Sequence, residues 1–260
     1  MKDLLFQSFK GFIFAVGLAG LTLSFCGCSS DGPDGDNKSL VLVTSADYPP
    51  FEYPKNGQVV GFDIDLANLI AKELGVKLVV RDVSFSAIIP ELNSGRADFA
   101  MAGLTITPER LQNVDFSMVY FEPTLAVLSK ESAPLTQLMN LEGKRLGAQL
   151  GSIMEQFVQQ QSTKMKGIEL KSLPKNPDLV QELNVGRLDG VILESAQAAA
   201  FAQAYPQLVV ALLPQAVDGY AVAFPKDSKW VDAFNQVIGR LKVEGKLQAL
   251  THEWLTIEEE

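Results

Sequence analysis

Short continuous apolar runs alternate along this chain with stretches whose apolar residues recur every three or four positions, a pattern that predicts strands and helices by turns. Leu40 to Thr44 reads as a buried strand, stopped by Pro49 and Pro50 in a loop that places Tyr48 and Phe51 on a rim. After a turn at Gly57 and a short strand at Val59 and Val60 comes a helix in which Ile64, Ala67, Ile70, Ala71 and Leu74 share one face until Gly75. Asp63 or Asp65 falls in its first turn, where a carboxylate caps the helix and offsets its dipole. Val76 to Val80 is a second buried strand. A helix then opens at Ser84, runs toward Leu92 and ends at Gly95, and Phe99 to Ala102 follows as a short apolar strand. This order predicts a doubly wound α/β lobe with parallel strands.

Phe116 to Leu128 is apolar with Pro123 inside it, which suits a crossover between lobes better than a central strand. Beyond it the pattern resumes: strand Leu141 to Gly151, helix Ser152 to Gln161, strand Ile168 to Leu173, helix Asp178 to Val185, strand Leu188 to Leu193, helix Ser195 to Ala204 and strand Val209 to Leu213. Asp218 to Phe224 reads as a return crossover. Trp230 to Leu255 is amphipathic with a break near Gly245, predicting terminal helices that return to the first lobe.

One stretch is written twice. Glu91 to Gly103 reads ELNSGRADFAMAG and Glu182 to Glu194 reads ELNVGRLDGVILE, with Glu, Leu, Asn, Gly, Arg and Asp recurring in register. Two lobes built on a related helix-turn-strand unit follow, with the strand end at Gly103 corresponding to Glu194. Asp98 to Arg110 (DFAMAGLTITPER) adds a hydroxyl N-cap at Thr107 and proline at the next position, so Thr105, the loop amides and Arg110 gather at a strand's carboxyl end. A guanidinium beside free amides suits a carboxylate. Gly151-Ser152-Ile153 forms a second anion-friendly helix end. With Glu194 on the opposite strand end, the pair of charges complements a zwitterion.

Charge narrows the partners. The 260 residues carry a formal net charge of −9, against a nucleic-acid or anionic-lipid partner, since phosphate binding needs a basic face. The N-terminus reads as a targeting segment: Lys2 and Lys10 flank an apolar run from Gly11 to Phe25, short for a membrane span. It ends in SFCGCSS, a lipoprotein-like processing site at which Cys28, preceded by Gly27, fits better than Cys26. The expected layout is signal peptide 1–27, flexible tether 28–39, a first lobe from 40–122 and 222–260, and a second lobe from 123–221 with the crossover strands at its ends. Cleavage there leaves one cysteine and no internal disulfide, and a membrane contact only through the lipid. Asp63 and Asp65 have no third ligand at metal spacing, so no metal or cofactor is expected, and nothing demands more than a monomer. His252, the only histidine, reads as solvated or packing.

The ordered series TSADYPPFE, GFDIDLANLIAKELG, SFSAIIPEL, DFAMAGLTITPER, LGAQLGS and GRLDGVILE resembles the bacterial extracellular solute-binding proteins of the polar amino-acid family, the capture subunits of ABC importers. The resemblance spans about Leu40 to Leu255. It implies two doubly wound α/β lobes joined by two crossover strands, the type II periplasmic-binding-protein arrangement, closing on a free amino acid and delivering it to a permease in the inner membrane. By position it implies that Arg110 pairs with the ligand α-carboxylate, helped by the amides of Thr105 and Ile153. The Gly103 carbonyl, the Thr105 hydroxyl and Glu194 are implied to hold the α-ammonium, and Tyr48 and Phe85 to sandwich the side chain. Glu194 replaces the more frequent aspartate. Ser45 stands where binders of basic amino acids often carry an acid, leaving Asp47 or Gln149 to supply that contact, with arginine or another basic amino acid as the expected ligand.

Two other functions fit the same fold. A dehydratase acting on a small carboxylic acid needs a general acid or base beside the carboxylate; no histidine or cysteine lies near the motifs, and Glu194 paired to an ammonium is a poor acid. An amino-acid sensor needs an output partner on a separate chain.

Overall fold

The computed structural model describes residues 39–255. The expected signal segment, Cys28 and the tether before Ser39 lie outside the described residues. Ser39 itself already belongs to the first strand.

The chain enters the first lobe through β1 (Ser39–Thr44), a hairpin of β2 (Tyr53–Lys55) and β3 (Gln58–Val60), α1 (Phe62–Glu73), β4 (Lys77–Asp82), α2 (Ile88–Asn93), β5 (Phe99–Ala100), α3 (Pro108–Leu111) and β6 (Val114–Phe116). It crosses to the second lobe, formed by β7 (Leu125–Lys130), β8 (Arg145–Gln149), α4 (Ile153–Lys164), β9 (Glu169–Leu173), α5 (Asn176–Asn184), β10 (Gly190–Glu194), α6 (Ser195–Ala204) and β11 (Leu208–Leu212). It then returns through β12 (Ala223–Pro225), α7 (Val231–Val243) and α8 (Lys246–Leu255). The strand expected from Leu141 begins only at Arg145, because the chain first makes a tight turn with Gly143 at φ 70°.

The first sheet has the order β4-β1-β5-β12-β6 and the second β11-β7-β10-β8-β9. The expectation of parallel strands needs one correction in each. β12 runs antiparallel to both its neighbours, and so does β7. Both are strands that arrive from the other lobe. The remaining strands point their carboxyl ends at the cleft, so a strand entering across the cleft starts at that edge and runs the opposite way.

Both faces of each sheet are covered. On β7, Leu125 and Val127 join Leu146, Phe157 and Ile192 under α4, while Ala126 and Leu128 join Leu179, Leu183 and Phe201 on the opposite side, as the period of two requires. In the first lobe Phe234, Ile238 and Leu241 of α7 and Leu247 and Leu250 of α8 pack into the cluster of Leu42, Leu66 and Ile70. The terminal helices thus return as expected, and His252 is exposed. Phe51, expected on a rim, is fully buried, with ring centroids 5.2 Å from Phe121, 5.6 Å from Tyr220 and 5.9 Å from Phe62. The loop after β1 folds inward because this aromatic group roofs the lobe beside the crossovers.

The two crossovers lie against each other. The Tyr220 N–H donates to the Phe121 carbonyl (2.8 Å) and the Tyr120 N–H to the Tyr220 carbonyl (2.9 Å). They approach so closely that a Cβ on Gly219 would sit 2.2 Å from Val119 Cγ1 and 2.9 Å from the Phe121 carbonyl oxygen. Crossovers packed this closely leave no room for a larger residue there.

The repeated sequence unit has one physical content in both places. Glu91 receives Arg96 Nε and Glu182 receives Arg187 Nη1 across the turn that ends each helix. Gly95 and Gly186 close α2 and α5 at φ 70° and 77°. Asp98 accepts the Val41 N–H (2.7 Å) and Asp189 the Arg145 N–H (2.9 Å), tying each turn to the adjacent parallel strand. The shared residues build the turn; the residues after them differ, and those face the cleft.

Candidate functional site

Arg110 is carried by the short helix α3, capped as the sequence indicates: the Thr107 Oγ1 accepts the Arg110 N–H (3.1 Å), with Pro108 at the first helical position. Its side chain is 7% exposed and lies over the Phe85 ring, 5.4 Å from the centroid. Nη1 donates to the Thr105 carbonyl (2.8 Å) and Nη2 to the Gly151 carbonyl of the second lobe (3.1 Å). Among the described residues no carboxylate pairs with it, and burial pulls its pKa down to about 10. A buried guanidinium with only carbonyl partners is a cation in want of an anion.

Thr105 is buried beside it, its hydroxyl oxygen unpartnered. Gly103, at φ 54°, lies between two phenol rings: a Cβ there would come within 3.1 Å of both Tyr48 and Tyr220. Its N–H donates to Asp63 (3.0 Å), which also accepts the Tyr120 hydroxyl (2.9 Å). This corrects the reading of Asp63 as a cap. No side chain caps α1; Asp63 is fully buried, holds the Gly103 loop against the crossover, and is pushed by burial up to about 6. Asp65 likewise does not cap, its carboxylate accepting the Trp254 indole N–H (2.9 Å).

On the second lobe Ser152 caps α4 by accepting the Glu155 N–H, and Glu155 in turn accepts the Gly151 N–H (2.7 Å). Two of the amides expected to be free at this end are therefore engaged, since Ser152 N–H donates to the Gln149 carbonyl. The Ile153 amide remains in the first turn, where helix geometry leaves N–H groups open. Ile153 and Gln149 line one pocket with Tyr48, Phe85, Gly103, Thr105 and Arg110, so seven of the ten expected ligand contacts are brought together.

Glu194 ends β10 and is also the N-cap of α6, a role the sequence reading missed. One oxygen accepts the Ala196 and Gln197 N–H groups (2.7 and 3.1 Å) and the other the Ser195 hydroxyl (2.8 Å). It is 1% exposed, and burial raises its pKa against the pull of those bonds. Its field reaches Tyr48 and Tyr220, whose hydroxyls lie 2.8 Å apart and whose pKa values burial drives well above the usual phenol range. Glu194 is not ion-paired with Arg110.

Ser45 and Asp47 do not line the Arg110 pocket. The Asp47 carboxylate accepts the Ser45 hydroxyl (3.3 Å), the Gln149 amide (3.3 Å) and the backbone N–H of Asn176 (3.2 Å). Burial pushes it up to about 6 against those donors. Gln149 and Asn176 belong to the second lobe, so Asp47 and the Arg110–Gly151 bond draw the lobes together. Asn176 was not expected here: the helix expected from Asp178 begins two residues earlier, at Asn176, which reaches across the cleft. Among the described residues no cluster of three or more His, Cys, Asp or Glu could hold a metal, and no helix is long and apolar enough to cross a membrane.

Two α/β lobes thus converge on a buried, anion-less arginine from one side and a buried carboxylate from the other, and the sequence model of a known family matches residues 40–257. The chain belongs to the bacterial extracellular solute-binding proteins, family 3. Within family 3, the arginine-binding extracellular protein of Bacillus subtilis (strain 168) is 37% identical over 237 residues, covering 90% of this chain and 92% of that protein. An ancestral arginine-binding protein bound to arginine superposes with a TM-score of 0.80 at 36% identity, over 84% of this chain and 98% of that one. An ancestral arginine-binding protein bound to glutamine gives a TM-score of 0.78, also at 36% identity, over 83% and 97%. Family 3 therefore accounts for the two-lobed fold.

Proposed function

We propose that this family 3 protein captures a free amino acid, arginine or another basic one, by lobe closure and hands it to an ABC permease. The observation that carries the reading is Arg110, buried and held by carbonyls from both lobes with no acidic partner among the described residues. A ligand α-carboxylate completes it with a bidentate pair, the Thr105 and Ile153 amides adding donors. Glu194, with the Thr105 hydroxyl and the Gly103 carbonyl, takes the α-ammonium; a carboxylate already held by three donors is preorganised for a fourth. Tyr48 and Phe85 flank the side chain. Asp47, with Ser45 and Gln149 around it, supplies a negative group for a cationic side chain. The relatives that bind arginine support this choice of ligand.

Closure follows from the division of labour. The first lobe offers Arg110, Thr105, Gly103, Tyr48 and Phe85, and a ligand seated there brings in Glu194 and the Gly151 turn, favouring the closed form. In this reading 40–122 with 222–260 and 123–221 are the moving bodies, and the protein binds without catalysing. It acts outside the cytoplasm as a monomer, held to a membrane by lipid on Cys28.

A thermal-shift screen of the protein against the common amino acids and small carboxylic acids tests the reading, because a ligand of the native state raises Tm by mass action. A selective rise with arginine or lysine is expected. A rise only with acidic or neutral ligands overturns the basic preference. No rise with any amino acid overturns the function.

A further inference from the structure

Gln197 is a buried polar group that the site as described leaves unused. It lies in the first turn of α6, where its backbone N–H is held by Glu194, and its side chain has no exposed surface. Neither its amide nitrogen nor its amide oxygen has a hydrogen-bond partner. Leaving such groups unpaired in the interior is destabilising, and an apolar residue of the same length would avoid that cost.

Its surroundings give the amide something to do. Gln197 lines a small cavity with Tyr48, Gln149, Ser152, Met154 and Asn176. The first four of these neighbours also line the cleft beside Arg110, so the cavity adjoins the cleft at the Tyr48 ring. The other polar groups at that end are committed: Gln149 donates to Asp47 and to the Pro174 carbonyl, and its oxygen accepts the Asn176 amide (3.2 Å). Gln197 presents an acceptor and a donor with no partner in a cavity it shares with Gln149 and Asn176, both of which bond the Asp47 carboxylate.

We infer that Gln197 is a specificity determinant that reads the planar nitrogen-bearing end of a long ligand side chain, its amide oxygen accepting from a guanidinium or terminal amide that reaches past Tyr48. The inference rests on the amino-acid-binding reading above and assigns its distal end. Asp47 supplies charge, which lysine and arginine share; a fixed amide acceptor favours the planar head group whose N–H donors point in set directions.

Calorimetric titration of wild-type protein and Gln197→Met with L-arginine and with L-2,4-diaminobutyric acid tests this. The second ligand carries the same α-groups and a positive charge on a side chain too short to reach the cavity. Gln197→Met is expected to weaken arginine binding about tenfold, leave diaminobutyric acid within twofold, and leave the ligand-free Tm unchanged or higher, since an unsatisfied amide has been removed. Gln197→Leu, smaller and also apolar, is expected to repeat the pattern and serves where Gln197→Met does not fold. Equal losses for both ligands with a lowered ligand-free Tm overturn the assignment in favour of a structural role. Wild-type binding with unaltered arginine affinity in the variants overturns the assignment alone, whereas wild-type protein that binds neither ligand overturns the amino-acid reading with it.

Discussion

The same helix-turn-strand unit ends the two lobes in opposite ways. In the first lobe β5 stops at Ala100, the chain turns through Gly103 with its N–H tied to Asp63, and helix α3 does not begin until Pro108. In the second lobe β10 continues to Glu194 and α6 begins at the next residue, with Glu194 as its cap. Identical turn chemistry behind the two ends, from Glu91 and Arg96 to Glu182 and Arg187, shows that the difference is confined to the last few residues. One end is a loop that turns backbone groups and a buried guanidinium toward the cleft. The other is a single carboxylate fixed by its own helix. The comparison teaches that one chassis can present opposite charges to a cleft by changing only how long the chain waits before its next helix.

The largest effect should come from removing the charge on the loop side. Arg110→Ala is expected to weaken L-arginine binding by about a hundredfold or more, since a bidentate charge-assisted contact is lost. In the same titrations, agmatine, which lacks the carboxylate, should lose far less. Comparable losses for both would separate Arg110 from the carboxylate.

A smaller effect is expected from the glycines that shape the two parts of the unit. Gly95 and Gly103 both have positive φ, but a Cβ on Gly95 meets nothing within 4 Å while one on Gly103 meets both tyrosine rings at 3.1 Å. Gly95→Ala should cost about 1 kcal/mol from backbone strain alone. Gly103→Ala should cost more in denaturant melts and also weaken binding, and equal costs without a binding defect would show that the Gly103 loop does not shape the site.

The smallest effect expected is on the pH dependence of the ligand-free protein. Asp47 and Asp63 have folded pKa values of about 6 against 3.8, chiefly from burial, and Glu52 and Glu194 are raised for the same reason. A raised folded pKa gives stability that is complete below the unfolded value and lost as pH rises through the folded one. Tm should therefore fall by a few degrees between about pH 4 and pH 7, and Asp63→Asn should reduce the slope. A Tm that rises across that interval contradicts the burial of these carboxyls.

Much of this was legible in the sequence because its causes are local. The repeat announced paired turns, Thr107-Pro108 announced α3, and Ser152 announced α4, each through bonds spanning a few residues. What was not legible depends on residues far apart in the chain. Asp63 looks like a first-turn cap until Gly103 and Tyr120 arrive at its carboxylate. Asp47 meets the Asn176 N–H, and Gln197 reaches the cavity beside Tyr48 and Gln149, only because the lobes face one another. Phe51 follows two prolines and reads as a loop residue, yet the crossovers bury it. The reversed strands β7 and β12 could have been anticipated, since each follows a crossover.

The central claim is that the two charged contacts to an amino acid, Arg110 for the α-carboxylate and Glu194 for the α-ammonium, come from opposite lobes. Isothermal titration of wild-type and Glu194→Gln protein with L-arginine and with 5-guanidinopentanoic acid, which keeps the carboxylate and guanidinium but lacks the α-ammonium, tests it most directly. The account predicts that Glu194→Gln weakens L-arginine about tenfold or more and changes the deaminated ligand by less than about threefold. Equal losses for the two ligands, or none for either, would contradict it.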